Sequence, residues 1–297
     1  MKTLAITGAA GVVGTGLRAQ LLARGYSLVL LDLLPIPDCA ANERAVQLDI
    51  TDQAALTEQL RGCDALLHLA ACTSDAPWPE QVRLSVQGCI SAFDAARAAG
   101  LRRVVYASSH HVVGLHPRPP LGPVLDVTAP LRPDSRYGVG KAFGESIATL
   151  YACKYDMQVL MMRIGNANSE PLDRRRMGNW ISWRDLAQLV SIGVEHPDLM
   201  CSTVYAISDT TERHYDNRAA YALGYRPQDG TAAAEHEERI LRTDPVPAPG
   251  SAAAFEAGEL TLGGQLFAAG FVGDARRLLS AEYARAAGAA IAPADGG

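Results

Sequence analysis

Tyr137 and Lys141 stand four positions apart in Tyr137-Gly138-Val139-Gly140-Lys141. On a helix, residues i and i+4 share a face, so the phenol and the ammonium would be neighbours. An ammonium beside a phenol favours phenolate and would lower the tyrosine pKa toward working pH, which makes a general base. An apolar run ending in Ser108-Ser109 lies upstream, with Ser109 28 positions before Tyr137. A serine hydroxyl near the phenol would bond the reacting oxygen and orient it. A YxxxK pair alone also occurs on exposed helix surfaces; the serine, phenol and ammonium in this order set this one apart.

A second group opens the chain. Thr7-Gly8-Ala9-Ala10-Gly11-Val12-Val13-Gly14 carries glycines at 8, 11 and 14, between an apolar run and a helical pattern. Glycines in such a turn let the backbone approach a pyrophosphate, which then sits on the helix N-terminus. Gly8, Ala10, Gly11, Val12 and Val13 are the cofactor-binding candidates of this turn; an ordinary strand-to-helix turn is the alternative. Asp32 ends the second apolar run, 18 positions after Gly14. A dinucleotide-binding fold has a carboxylate there for the ribose hydroxyls, and it repels a 2′-phosphate, favouring NAD over NADP. A strand-terminal Asp capping a turn is the other reading. Asp49 ends the next run and would meet the adenine edge with help from the Ile50 backbone, or else make an N-cap contact.

These groups need elements to carry them. Strands are expected at Leu4–Thr7, Ser27–Asp32, Ala45–Ile50, Ala65–Ala70, Arg103–Ser108, Gln158–Gly165 and Thr203–Ser208. Helices are expected at Val12–Arg24, Gln53–Arg61, Glu80–Ala99, Ser135–Lys154, Ser182–Glu195 and Asp216–Leu223. The strands read as continuous apolar runs, the mark of strands buried on both faces, and they alternate with helices. The fold class is therefore α/β, a Rossmann-type doubly wound parallel sheet. Residues 1–165 would form the NAD-binding domain. Residues 166–297 would form a smaller substrate-binding region with a low-complexity tail (AAGAAIAPADGG) of loose last turns.

Composition narrows the class. Of 297 residues, 48% are hydrophobic and 20% charged, which excludes a disordered, collagen-like or disulfide-scaffold chain. A net charge of −5 argues against a nucleic-acid partner. The apolar run from Leu28 is broken by Asp32, and no stretch approaches the roughly 20 residues of a membrane span. The N-terminus has no signal-peptide core, so the cytoplasm is expected. Six scattered cysteines, with no CxxC and no close histidine, read as reduced packing thiols, and no metal is expected. His68, inside an apolar run, reads as core; Trp180 and Trp183 read as helix packing.

The chain resembles the extended short-chain dehydrogenase/reductases, the NAD-dependent epimerase/dehydratase family, over residues 1 to about 225. The resemblance rests on TGAAGVVG, Asp32, LDITD, LHLAA, YASSHHVVG and YGVGKAFGE. It implies that Gly8, Gly11 and Gly14 hold a pyrophosphate and that Leu69, Ala70 and Ala71 line the cofactor. Ser109 matches the catalytic serine, Tyr137 the acid/base, and Lys141 the residue that holds the nicotinamide ribose. Within the family the chain is most similar to uronate dehydrogenases. The residues are LGP (121–123), RPDSRYGVGKAFGE (132–145), RIG (163–165), the Glu170-Pro171 loop with its arginines, and NWISWRDL (179–186). Three departures stand out. Ser85 takes the place of a helix Asn, His110-His111 that of Asn-His, and Asn166 that of a Ser.

This implies NAD-dependent oxidation of a hexuronic acid (glucuronate or galacturonate) at the anomeric carbon to an aldarolactone. The substrate-binding candidates are Thr73, Ser109, His110, His111, Tyr137, Asn166 and Arg175. His110 and His111 either bond sugar hydroxyls or are satisfied structural histidines. Arg174-Arg175-Arg176 is either a solvated charge run or a carboxylate clamp, since a guanidinium binds a carboxylate bidentately. Alignment from Gly165 selects Arg175, and a one-residue slip selects Arg176. A nucleotide-sugar epimerase or dehydratase is the alternative, and a non-catalytic NAD sensor the third class. A small sugar acid is the expected partner, with no membrane or nucleic acid, in a homo-oligomer.

Overall fold

The computed structural model describes residues 1–231, 234–248, 253, 257–264 and 272. Seven parallel strands form one sheet in the order β3-β2-β1-β4-β5-β6-β9. They are β1 (Thr3–Thr7), β2 (Ser27–Asp32), β3 (Glu43–Gln47), β4 (Ala65–His68), β5 (Arg103–Ser109), β6 (Gln158–Ile164) and β9 (Cys201–Ala206). Two-residue strands β7 (Asn166–Ala167) and β8 (Trp180–Ile181) pair separately. Helices α1 (Val12–Ala23) and α6 (Trp183–Glu195) cover one face, where Leu17, Leu21, Leu186 and Leu189 pack on Leu4, Ile6, Leu28 and Leu30. Helices α2 (Gln53–Leu60), α4 (Gly88–Ala98) and α5 (Arg136–Tyr155) cover the other, where Leu56, Phe93 and Ala148 pack on Ala5, Val29 and Leu31. Odd and even strand positions are both apolar because both faces are roofed.

The doubly wound sheet is as expected, with shifts at its ends. β3 begins two residues before the expected Ala45 and stops at Gln47, because its register pairs Leu28 with Glu43 and Asp32 with Gln47. Leu48 then donates to the Asp32 carbonyl and the chain turns away, so Asp49 and Ile50 lie past the strand. β4 stops at His68, two residues short. The single helix expected over Glu80–Ala99 is a helical turn α3 (Trp78–Gln81), a wider π-type turn over Val82–Gln87, and then α4. The last helix within the resemblance shortens to α7 (Arg218–Ala222). Trp180 sits in β8, buried, with its indole N–H on the Asn168 carbonyl, rather than on a helix. His68 is buried as expected, its Nδ1 2.7 Å from the Thr7 hydroxyl. The sheet does not stop at residue 165: β9 extends it and α6 roofs it. The tail expected to be loose lies outside the described residues.

The run NWISWRDL has a structural use. Ser182 caps α6, accepting the Asp185 N–H. The fully buried Asp185 carboxylate accepts from the Ser208 hydroxyl at 2.6 Å and the Gln228 N–H at 2.8 Å. That ties α6, the end of β9 and the 228–229 loop together.

Candidate active site

The carboxyl ends of the parallel strands form the site, as the fold class requires. After β1 the chain turns sharply at Gly8, with φ +71°, and a Cβ there would lie 2.7 Å from the Ala70 nitrogen. A Cβ on Gly14 would lie 2.6 Å from the Ala9 Cα. Both positions therefore admit only glycine, and the β1–α1 turn lies against the segment after β4. Helix α1 starts at Val12 with no side-chain cap, which leaves its first amides for a ligand. Asp32 spans the end of β2, accepting the Ala10 and Leu34 N–H groups at 2.9 Å each.

A cavity of about 560 Å³ opens between these segments. It is lined by Gly8, Ala10, Gly11, Val12 and Val13, by Asp32, by Asp49 and Ile50, and by Leu69, Ala70 and Ala71. Bare Cα atoms, open helix amides and two carboxylates suit a dinucleotide, and a carboxylate at the end of β2 disfavours a 2′-phosphate. Thr73, expected among the substrate groups, lines this cavity instead. The Asp49 carboxylate accepts from the Thr51 N–H and hydroxyl and pairs with Arg83 at 2.9 Å. The Thr51 N–H, foremost, holds it below the usual carboxylate range.

β5 and α5 carry the candidate reacting groups Ser109, Tyr137 and Lys141. Ser135 caps α5 by accepting the Gly138 N–H at 3.0 Å, which fixes where Tyr137 and Lys141 emerge. The Ser109 hydroxyl, at the end of β5, accepts the His111 N–H at 3.2 Å and counts among the groups that act on the Tyr137 phenol. Lys141 is buried; its ammonium donates to the Ala107 carbonyl at 2.6 Å and lies 5.8 Å from the Tyr137 ring centre. The expected pull of Lys141 on the phenol is not what the structure shows. Burial pushes the Tyr137 phenol up to about 12 against the lowering effect of Ser109, while burial brings Lys141 down to about 8. The ammonium is spent on a carbonyl, and desolvation outweighs its attraction for the phenol. Ser108 points to the opposite face, donating to Glu145 at 2.6 Å. Glu145 is gripped twice by Arg163 at 2.9 Å.

Beyond Ser109 lie the two histidines. His111 Nδ1 is 2.7 Å from the Asp134 carboxylate, whose side chain is fully buried, and its ring stands edge-on to Tyr137. A buried carboxylate accepts only, so Nδ1 carries the proton and Nε2 is left as an acceptor. His110 is buried, 3.3 Å from the Tyr215 hydroxyl, and burial holds its pKa well below the ordinary value, so it is neutral. Asn166, in β7, is half-buried with no side-chain partner among the described residues.

The three arginines separate cleanly. Arg174 pairs with Glu259 at 2.8 Å, and Arg176 pairs with Asp173. Arg175 has no carboxylate partner among the described residues; its Nη1 donates to the Gly263 carbonyl at 3.3 Å. Gly263 in turn donates to the Gly114 carbonyl at 2.9 Å, four residues after His110, which puts Arg175 on the histidine side of the site. Asp134, Tyr215 and Gly263 went unread in the sequence. Asp134 lies inside RPDSRYGVGK, three residues before the phenol; Tyr215 and Gly263 come from loops without periodicity. No group of three metal-ligating side chains occurs among the described residues, and no described helix is long and apolar enough to cross a membrane.

Known proteins are similar to this chain in sequence and fold. A uronate dehydrogenase of Pseudomonas syringae pv. tomato is 34% identical over 229 residues, 77% of this chain and 82% of that protein. One from Agrobacterium fabrum is 35% identical over 253 residues, 85% of this chain and 93% of that protein. A mutant uronate dehydrogenase from Agrobacterium tumefaciens, solved in complex with NAD, superposes with a TM-score of 0.82 at 33% identity, covering 90% of this chain and 97% of that one. The model of the NAD dependent epimerase/dehydratase family matches residues 4–191. That span, from the second residue of β1 to the middle of α6, takes in every strand of the main sheet but β9, and the chain belongs to the NAD dependent epimerase/dehydratase family.

Proposed function

We propose that this protein is an NAD-dependent dehydrogenase of hexuronic acids, oxidising the anomeric carbon of glucuronate or galacturonate to an aldarolactone. The observation that carries the substrate class is Arg175, a cation without a carboxylate partner among the described residues, on the histidine side of the Ser109–Tyr137 pair. The relatedness to uronate dehydrogenases supports the same reading. NAD, held by the Gly8–Val13 turn and Asp32, supplies the hydride acceptor when bound.

The chain's own groups do the rest. Deprotonated Tyr137 takes the proton of the anomeric hydroxyl as hydride leaves that carbon, and the C–OH becomes the lactone carbonyl. Ser109, beside the phenol, bonds the anomeric oxygen and keeps that hydroxyl in line with Tyr137. Lys141 favours the phenolate and holds the cofactor ribose. His111, its Nδ1–H committed to Asp134, offers Nε2 to a ring hydroxyl. Neutral His110 and Asn166 border the sugar, and Arg175 takes its carboxylate bidentately. The nucleotide-sugar alternative has less support, since His110-His111 stands where a dehydratase would have an Asp-Glu pair. Residues 166–264 supply the substrate side in this reading. In this reading the enzyme is cytoplasmic and homo-oligomeric and serves sugar-acid metabolism.

The test is NADH production from free uronic acids, neutral aldoses and UDP-sugars, with wild type and Arg175→Ala. Uronates should be oxidised far faster than aldoses. A charge-assisted bidentate contact is worth roughly 1.5–3 kcal/mol, so Arg175→Ala should cut kcat/KM for uronates by about 10- to 100-fold. Equal rates on aldoses, or turnover of UDP-sugars alone, would overturn the proposal.

A further inference from the structure

We propose that the Gly263–Gly264 turn positions Arg175, and that the missing side chain of Gly264 thereby sets how well the enzyme holds a substrate carboxylate. The inference rests on the carboxylate-clamp reading above and names what builds the clamp.

Arg174 and Arg176 are each fixed by an acidic side chain. An ionic partner at Arg175 would compete with substrate for the same donors, so the guanidinium has to be held by something uncharged. Two backbone features do this. The Gly263 carbonyl accepts from Nη1 at 3.3 Å, leaving the other N–H groups, which have no partner among the described residues, for a carboxylate. The arginine side chain also passes over the bare Cα of Gly264. A Cβ there would lie 2.5 Å from Nε and 2.8 Å from Cζ, and closer still to Cδ. Gly264 has φ +63°, a conformation that glycine adopts freely.

The turn is tied to the catalytic side of the site. Gly263 donates to the Gly114 carbonyl at 2.9 Å, and Leu262 donates to the His116 carbonyl at 3.1 Å. Leu262 packs with Val112 and Val113, directly after His110 and His111. Arg175 is thus referenced to the end of β5, where Ser109 sits. That fixes the distance between the group that reads the carboxylate and the group that takes the proton.

A Cβ at 264 meets the outer half of a long flexible side chain. What yields is the guanidinium, and the fold stays. Gly264→Ala should therefore raise KM for glucuronate about tenfold with kcat changed less than about threefold, the pattern of lost uniform binding. The NAD dissociation constant should not move. Backbone strain is controlled by Gly224→Ala: Gly224 has φ +89° and nothing within 4 Å of a built Cβ. It should lower Tm about as much as Gly264→Ala and leave KM at the wild-type value. Asn tolerates this backbone region but still carries the Cβ. Gly264→Asn should therefore repeat the KM rise with a smaller loss of Tm, and it carries the test if Gly264→Ala folds poorly. In Arg175→Ala the change at 264 should add nothing. A KM within twofold of wild type for Gly264→Asn, or a further rise in the double variant, overturns the inference while leaving the clamp intact. A wild-type KM in Arg175→Ala itself overturns the clamp, and this inference with it.

Discussion

Replacing Lys141 with Met should change the pH dependence of the reaction more than any other property. Burial brings the ammonium down to about 8 and pushes the phenol up to about 12, and the two side chains share one buried corner. A general base works as the phenolate, so kcat/KM for uronate should rise tenfold per pH unit until the phenol is deprotonated. A cation 5.8 Å from the ring centre favours that phenolate by roughly 3 kcal/mol at an effective dielectric constant of about 20, or about two pH units. Lys141→Met should therefore lose about 10²-fold in kcat/KM at pH 7. Its limb should lie about two pH units above that of the wild type, with no plateau up to pH 10. The assay is initial-rate NADH formation from pH 6 to 10 at saturating NAD. A variant that keeps the wild-type limb refutes the reasoning, because the limb would then belong to another group.

Asp32→Ser removes the carboxylate at the rim of the cavity; the NAD-over-NADP ratio in kcat/KM should fall by about tenfold or more, and an unchanged ratio would clear Asp32 of that role. Asp134→Asn keeps the shape but offers N–H to His111, turning Nε2 from acceptor to donor. Uronate kcat/KM should drop by about 10- to 100-fold with NAD affinity intact, as read by ligand titration and initial rates. Glu145→Gln leaves Arg163 with an uncompensated buried charge, which costs about 3–5 kcal/mol. Thermal unfolding should show Tm lower by about 6–20 °C, and a change under 2 °C would mean that solvent already screens the pair.

How far the sequence could be read depended on the kind of interaction. Leu28 to Leu31 announced a strand roofed on both sides, since continuous apolar character leaves few alternatives. The glycine turn and Asp32 were legible because few residue types fit a backbone that tight. β3 was shifted because Leu48 and Ile50 are buried beside the sheet without pairing in it, and burial alone does not distinguish the two. The wider turn at Val82–Gln87 leaves the helical pattern on either side unbroken. Asp134 was in view but carried no role, since its partner His111 is 23 residues away and only the folded loop brings them within 2.7 Å. The raised pKa of Tyr137 leaves no mark in the sequence, for a physical reason. Sequence spacing reports which charges are near, whereas desolvation depends on everything packed around them.

The two halves of the proposed site become available at different moments of synthesis. Every strand that frames the dinucleotide cavity, and β6 after it, is complete once Ile164 has been added. The carbonyl and the bare Cα that hold Arg175 belong to residues 263 and 264, about 100 residues later. At roughly 5–20 residues per second the interval is about 5–20 s, long against the formation of a helix or the closing of a loop. A growing chain thus acquires its cofactor cradle well before it can fix the guanidinium that reads charge. A product truncated before Gly263 would keep the cradle and lose the hold on Arg175, and with it the preference for an acid over a neutral sugar.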